Sequence, residues 1–172
     1  PTYREDELGN YEAKDPWKPP KPRPGDSGHK YNLDTSAADV DANEVSLKKS
    51  EYGMNIIASD HIPMDRIVPD LRHPECKHWD YPERLPTASV VIVFHNEGLS
   101  TLMRTVHSVL GRSPSRFLRE VLLVDDHSDK RPLGRQLEQY LKQHFGTFNV
   151  TSSSNKVGDL HGEQLNAKSG KV

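Results

Sequence analysis

The chain has 172 residues, a length that suits one domain. Only 33% of it is apolar, 13 residues are proline and the mean hydropathy is -0.79, which excludes much of it from any core. Its 23 basic residues interleave with 25 acidic ones for a net charge of -2; this describes a solvated surface and gives no electrostatic case for nucleic acid. No apolar run approaches the ~20 residues that span a bilayer, and no charged-then-apolar signal segment follows Pro1.

Apolar residues concentrate between Ile56 and Phe148, so one small folded region with poorly ordered ends is expected. Residues 1–50 hold Asp15-Pro16-Trp17-Lys18-Pro19-Pro20-Lys21-Pro22-Arg23-Pro24-Gly25. Proline at that density fixes φ and removes donors, so the stretch reads as an extended, semi-rigid linker. Val40 to Tyr52 suits a short, frayed helix with Asp41 or Asn43 as its cap. From Asn55 to Leu85 the pattern is irregular: isoleucines supply bulk, while Pro63, Pro69, Pro74 and Pro82 prevent a long helix. Such a segment is expected to run across the outside of the folded region, tucking isoleucines into it.

The pattern then changes. Ser89-Val90-Val91-Ile92-Val93-Phe94 is a β-branched run that reads as a strand buried on both faces. His95-Asn96-Glu97-Gly98 is turn chemistry, after which Ser100 caps a predicted helix with Leu102, Met103, Val106, Val109 and Leu110 on one stripe and Gly111 as its stop. A second run, Val121-Leu122-Leu123-Val124, ends in Asp125-Asp126. Asp126 or Ser128 is the expected cap of a second helix carrying Leu133, Leu137, Tyr140 and Leu141. Two buried strands joined by a helix are expected to be parallel, which makes this half of a nucleotide-binding α/β sheet. After Gly146 the periodicity ends, so residues 147–172 are expected to be a divergent, disordered tail. Asn149-Val150-Thr151 is an N-glycosylation sequon, with Asn149 as the acceptor if the chain enters the secretory pathway.

Ligands of open α/β sheets bind outside the carboxyl ends of the strands. Those ends present His95, Asn96 and Glu97 after the first strand, and Asp125, Asp126 and His127 after the second. A carboxylate there accepts hydrogen bonds from a uracil or ribose, and an imidazole donates to or stacks on the same nucleoside. Taken singly, Asp126 reads equally well as a helix cap, Asp125 as a turn former and His95 as a partner of a backbone carbonyl. There is no glycine-rich phosphate loop, so the phosphates call for another holder, commonly a divalent metal. Asp159-Leu160-His161 has a D-x-H spacing, but no strand precedes it, and it is not taken as a metal site.

Four stretches resemble one family. Asn55-Ile56-Ile57-Ala58-Ser59-Asp60 with Val68-Pro69-Asp70-Leu71-Arg72 is similar to the lead-in of the polypeptide N-acetylgalactosaminyltransferases. Leu85 to Glu97 resembles their first strand and its turn, Ser100 to Val109 the helix after it, and Glu120 to Asp126 the second strand. The resemblance covers Glu51 to Gly146. It implies an incomplete GT-A (Rossmann-like) α/β fold, the first β-α-β-α of a parallel-type sheet between disordered terminal segments. Residues 1–50 would be the stem, 51–146 the first part of the GT-A domain, and a membrane anchor would lie upstream in a protein of the Golgi lumen. It further implies retaining transfer of GalNAc from UDP-GalNAc to Ser or Thr of a protein, using manganese. Val93, Phe94, His95, Asp125 and Asp126 match the positions that contact the uridine. The residue matching Cys76 pairs in the family with a later cysteine, and this chain has no second one.

The family's Arg-rich segment and its metal-binding Asp-x-His strand are not recognisable after Gly146, so no metal ligand or catalytic residue is assigned. The chain is expected to be truncated and inactive alone. The contrasting reading is a non-catalytic isoform or fragment, an interaction module working through an exposed sheet edge. An unrelated Rossmann-like module for another nucleotide is the third.

Overall fold

The computed structural model describes residues 8–9, 21–34, 41–78, 81–82, 84–145 and 150–154. Their elements, in chain order, are β1 (Leu8–Gly9), α1 (Ala42–Tyr52), α2 (Ile56–Asp60), β2 (Tyr81–Pro82), β3 (Ala88–Phe94), α3 (Leu99–Arg112), β4 (Leu118–Asp125), α4 (Arg135–Phe145) and β5 (Val150–Ser154). The main sheet has the order β3-β4-β5, parallel throughout, with Val91 opposite Leu122 and Phe94 opposite Asp125. β1 and β2 form a separate antiparallel pair.

The β-α-β-α order is as expected, and one strand more than expected follows it. Val150–Ser154 pair with Val121–Asp125, so the tail predicted from residue 147 is corrected there. A serine-rich strand carries no alternating apolar signal; its backbone pairing with β4 places it. Asn149 and Asp159-Leu160-His161 lie outside the described residues.

The core sits on one face of this sheet. Phe94 and Leu123 meet Leu102, Met103 and Val106 of α3 and Leu137, Leu141 and Phe145 of α4 in a single cluster. Met103, Val106 and Leu123 are fully excluded from solvent, and burying each such side chain contributes about 1.5–3 kcal/mol. The other face is open: Val91 is 55% and Val93 63% exposed. The expectation of a strand buried on both faces is therefore corrected for β3. Alternation from Ile92 inward to Val93 outward is the period-2 consequence of covering one side only.

The predicted helix ends also shift. α3 begins at Leu99 with Gly98 at its N-cap and no side-chain cap, and it continues through Gly111 to Arg112. Ser100 is not the cap; it is buried, and its hydroxyl bonds the Ser59 hydroxyl at 3.0 Å. Gly98 packs against Ile56, whose terminal methyl a Cβ there would displace. Neither Asp126 nor Ser128 caps a helix: a 3-10 turn at Arg131–Leu133 leads into α4. For α1 the expectation holds, with Asp41 at the cap accepting the Asn43 N–H at 2.8 Å.

The lead-in does run outside α3. Arg104, one turn beyond Ser100, is buried and donates to the carbonyls of Ser59 at 2.7 Å and Ile62 at 3.2 Å and to the Ser59 hydroxyl. Part of the expected linker is also anchored. Asp26 is buried and accepts the Ile67 N–H at 2.9 Å and the Arg23 N–H at 2.8 Å, while Arg23 reaches Asp65 at 2.9 Å. Burial alone would raise the Asp26 pKa, but the Arg23 guanidinium and the two N–H donors outweigh it and hold the carboxyl at about 2. Gly25, at φ 76°, lies against Ile62, so neither its conformation nor its space admits a side chain.

Between α3 and α4, the His107 Nε2 and Tyr140 hydroxyl are 2.8 Å apart, and His144 stacks on Tyr140. Burial, and then the neighbouring His144, push the His107 pKa below its ordinary value. The folded state thus binds fewer protons than the unfolded one near pH 6.5, so this contribution is complete above the unfolded value and is lost as the pH falls below it. Thermal unfolding midpoints should therefore fall between pH 7.5 and 5.5. His107→Gln should flatten that part of the profile; an unchanged slope in the variant would assign it to other groups.

Candidate functional site

The carboxyl ends of β3 and β4 lie side by side, because Phe94 pairs with Asp125. The Asp126 N–H donates to the Phe94 carbonyl at 2.9 Å, extending the ladder one residue past the strand. The five expected residues are brought together in sequence position but not in side-chain direction. Phe94 is 3% exposed and belongs to the core cluster, so the site can use its backbone and not its ring. Val93 points to the open face. His95, Asp125 and Asp126 are the side chains at the edge itself.

Each has a definite setting. His95 Nδ1 donates to the Asp126 carbonyl at 2.6 Å, and its Nε2 faces the Asn96 amide nitrogen at 3.3 Å. A carbonyl oxygen only accepts, so Nδ1 is the donor in the first contact. Asp125 Oδ1 accepts the Ser128 N–H at 2.8 Å, which leaves its other oxygen for a ligand. The Asp126 carboxylate is exposed and has no hydrogen-bond partner among the described residues. The turn-forming role of Asp125 and the carbonyl-binding role of His95 are thus both present, and neither occupies the group fully.

Asn96 was expected at this edge as turn chemistry, without a role of its own. It holds a left-handed conformation, φ 48°, and His127 across from it holds φ 61°. Its N–H donates to the Ser128 hydroxyl at 2.9 Å, and its side-chain oxygen accepts the N–H groups of Asp129 at 2.9 Å and Lys130 at 3.2 Å. One side chain therefore ties the loop after β3 to the loop after β4 and fixes where Asp125 and Asp126 stand. The signal was available: asparagine tolerates the left-handed region and bonds nearby backbone. Lys130 extends the tie to α1, pairing with Glu51 at 2.6 Å and lying 3.5 Å over the Tyr52 ring.

Asn96→Ala should loosen that loop and weaken nucleotide binding by about fivefold to tenfold, since two backbone donors lose their acceptor. Asn96→Asp retains the acceptor and should recover most of the loss. Equal affinities in all three forms, measured by calorimetry, would contradict the tie.

The family described as Glycosyl transferase family 2 matches residues 89–165. N-acetylgalactosaminyltransferase 7 of Drosophila melanogaster is 49% identical over 154 residues, which is 89% of this chain and 25% of that protein. The Homo sapiens protein of the same name is 43% identical over 172 residues, all of this chain and 26% of its own length. A crystal structure of GalNAc-T7 with UDP, GalNAc and Mn2+ superposes with a TM-score of 0.75 at 43% identity, over 90% of this chain and 28% of that one. The chain belongs to the polypeptide N-acetylgalactosaminyltransferase family. Its sheet is part of a GT-A fold, and it spans only 25% and 26% of the length of these two relatives. The human alignment runs past Gly146 to the end of the chain, so the similarity is not confined to residues 51–146.

Proposed function

We propose that the edge formed by His95, Asn96, Asp125 and Asp126 binds the uridine of UDP-GalNAc, as part of a site for GalNAc transfer to Ser or Thr of a polypeptide. The observation that carries this is the meeting of two carboxylates and an imidazole at one carboxyl edge, in a chain related to transferases named for that sugar. Asp125 and Asp126 accept from the uracil or ribose. His95, held by Asp126, offers a ring face for stacking. The backbone of Val93 and Phe94 lies beside them. Residence in the Golgi lumen belongs to the same proposal; among the described residues no helix is long and apolar enough to cross a membrane.

The related crystal structure contains Mn2+. Among the described residues no group of three or more His, Cys, Asp or Glu side chains converges to hold a metal ion, and two adjacent aspartates, one engaged with Ser128, make a poor set by themselves. The described residues do not by themselves fit a manganese site. Cys76 is exposed and unpaired.

Calorimetric titration of the 172-residue chain should show UDP bound at least about tenfold more tightly than ADP or NAD, as expected of a site that hydrogen-bonds its base. The same chain, supplied with UDP-GalNAc, Mn2+ and a Ser/Thr-rich peptide, should give no transfer. A preference for ADP or NAD would overturn the nucleotide assignment. Manganese-dependent transfer would overturn the view that this chain holds only the nucleoside part of the site.

A further inference from the structure

A cleft of about 540 Å3 opens on the side of α3 turned away from the sheet. Small-molecule sites typically occupy about 300–1,000 Å3. Thr101, Arg104, Thr105 and Ser108 form one wall, on the helical stripe opposite Leu102, Met103 and Val106. The α2 segment and Tyr31 form the others, and Tyr31 is braced by stacking on His61.

The lining is one-sided in charge. It includes Arg66 and Arg104 and no aspartate or glutamate. Arg104 is 6% exposed and has no carboxylate in ion-pair contact among the described residues; its bonds go to Ser59 and Ile62. Arg66 is partly buried, and its guanidinium makes no hydrogen bond or ion pair there. The same holds for the Tyr31 and Ser108 hydroxyls. Burial, and then the charge of Arg66, push the Arg104 pKa down, and the more distant Asp60 carboxylate offsets this only in part. A buried cation with no carboxylate in direct contact is costly, and an anion entering between the two would relieve both.

We propose that this cleft binds a small molecule bearing a phosphate or sulfate ester, with the oxyanion held between Arg66 and Arg104. The three terminal oxygens of such a group suit guanidinium donors approaching from two sides. The apolar part of the lining, Met54, Ile62 and Val68, faces the body of the ligand, and the hydroxyls of Tyr31 and Ser108 supply its polar contacts. The cleft lies across α3 from the core face, so it does not depend on the nucleotide assignment.

The test is an amide-resolved NMR titration of the 172-residue chain with inorganic phosphate, sodium sulfate and glucose 6-phosphate, using sodium chloride as the ionic-strength control. Saturable shifts are expected at Tyr31, Arg66 and Ser108 with the oxyanions and not with chloride. Glucose 6-phosphate should bind more tightly than inorganic phosphate. The ratio of phosphate to sulfate affinity then assigns the ester. Arg66→Ala, at a partly buried position, should weaken binding by about tenfold or more, and Arg66→Lys by less. The absence of saturable shifts with every probe would overturn the proposal. So would equal affinity in Arg66→Ala, weaker binding of glucose 6-phosphate than of phosphate, or shifts confined to Asn96 and Asp125 to Ser128. The last outcome would instead place the anion at the strand edge, leaving the nucleotide reading intact.

Discussion

Leu123→Ala is expected to lower the unfolding free energy by about 2–5 kcal/mol. Leu123 is fully buried at the centre of β4, the strand that pairs on both sides, and it packs in the cluster that joins α3 and α4 to the sheet. Domain stabilities are about 5–15 kcal/mol in total, so this one change would remove a large fraction. Val91→Thr on the neighbouring strand is the control. Val91 is on the open face and 55% exposed, and threonine keeps the β-branch, so the cost should stay within about 0.5 kcal/mol. Urea unfolding followed by circular dichroism separates the two. Comparable losses would mean that the open face is covered in solution, which is what an interaction module working through this sheet would require.

The second large effect is expected at the ligand edge. Asp125→Ala should weaken UDP binding by about 10-fold to 100-fold, the value of a charge-assisted hydrogen bond together with a loosened turn. Asp125 serves two purposes, because Oδ1 already accepts the Ser128 N–H. Asp125→Asn separates them: the amide oxygen retains that bond, while the charge is lost. An intermediate affinity for Asp125→Asn would assign part of the effect to the ligand and part to the turn. Wild-type affinity in both variants would remove Asp125 from the site.

The strands were legible in the sequence because β-branched runs ending in turn residues have few other interpretations, and Val121 to Val124 could only be a buried strand. Which faces were buried was not legible. Val91 and Val93 read as core, yet helices cover only one side of β3, and a local run cannot report what lies across a sheet. β5 was missed for a related reason: Val150-Thr151-Ser152-Ser153-Ser154 is polar, and its pairing is specified by the partner strand. Helix ends went astray where a nearby packing demand outranked local capping. Ser100 is used by Ser59, and Gly98 makes room for Ile56.

At the proposed ligand edge, residue types singled out His95, Asp125 and Asp126, because strand ends concentrate function in this topology. Side-chain direction was beyond reach, so Phe94 was named although its ring lies in the core. The bridging role of Asn96 was not legible because its partners are 32 to 34 residues away. Arg104 was read only as part of a helix, since nothing local distinguishes a buried arginine from a solvated one.

The proposed nucleoside site at the β3–β4 edge is tested most directly by titrating the 172-residue chain with UDP and following each backbone amide by NMR. Saturable shifts should cluster at Asn96, Asp125, Asp126 and Ser128, and should saturate at lower UDP concentration than any shifts at Tyr31 and Arg66. Saturable binding with those four amides unmoved, or no saturable binding at all, would contradict it.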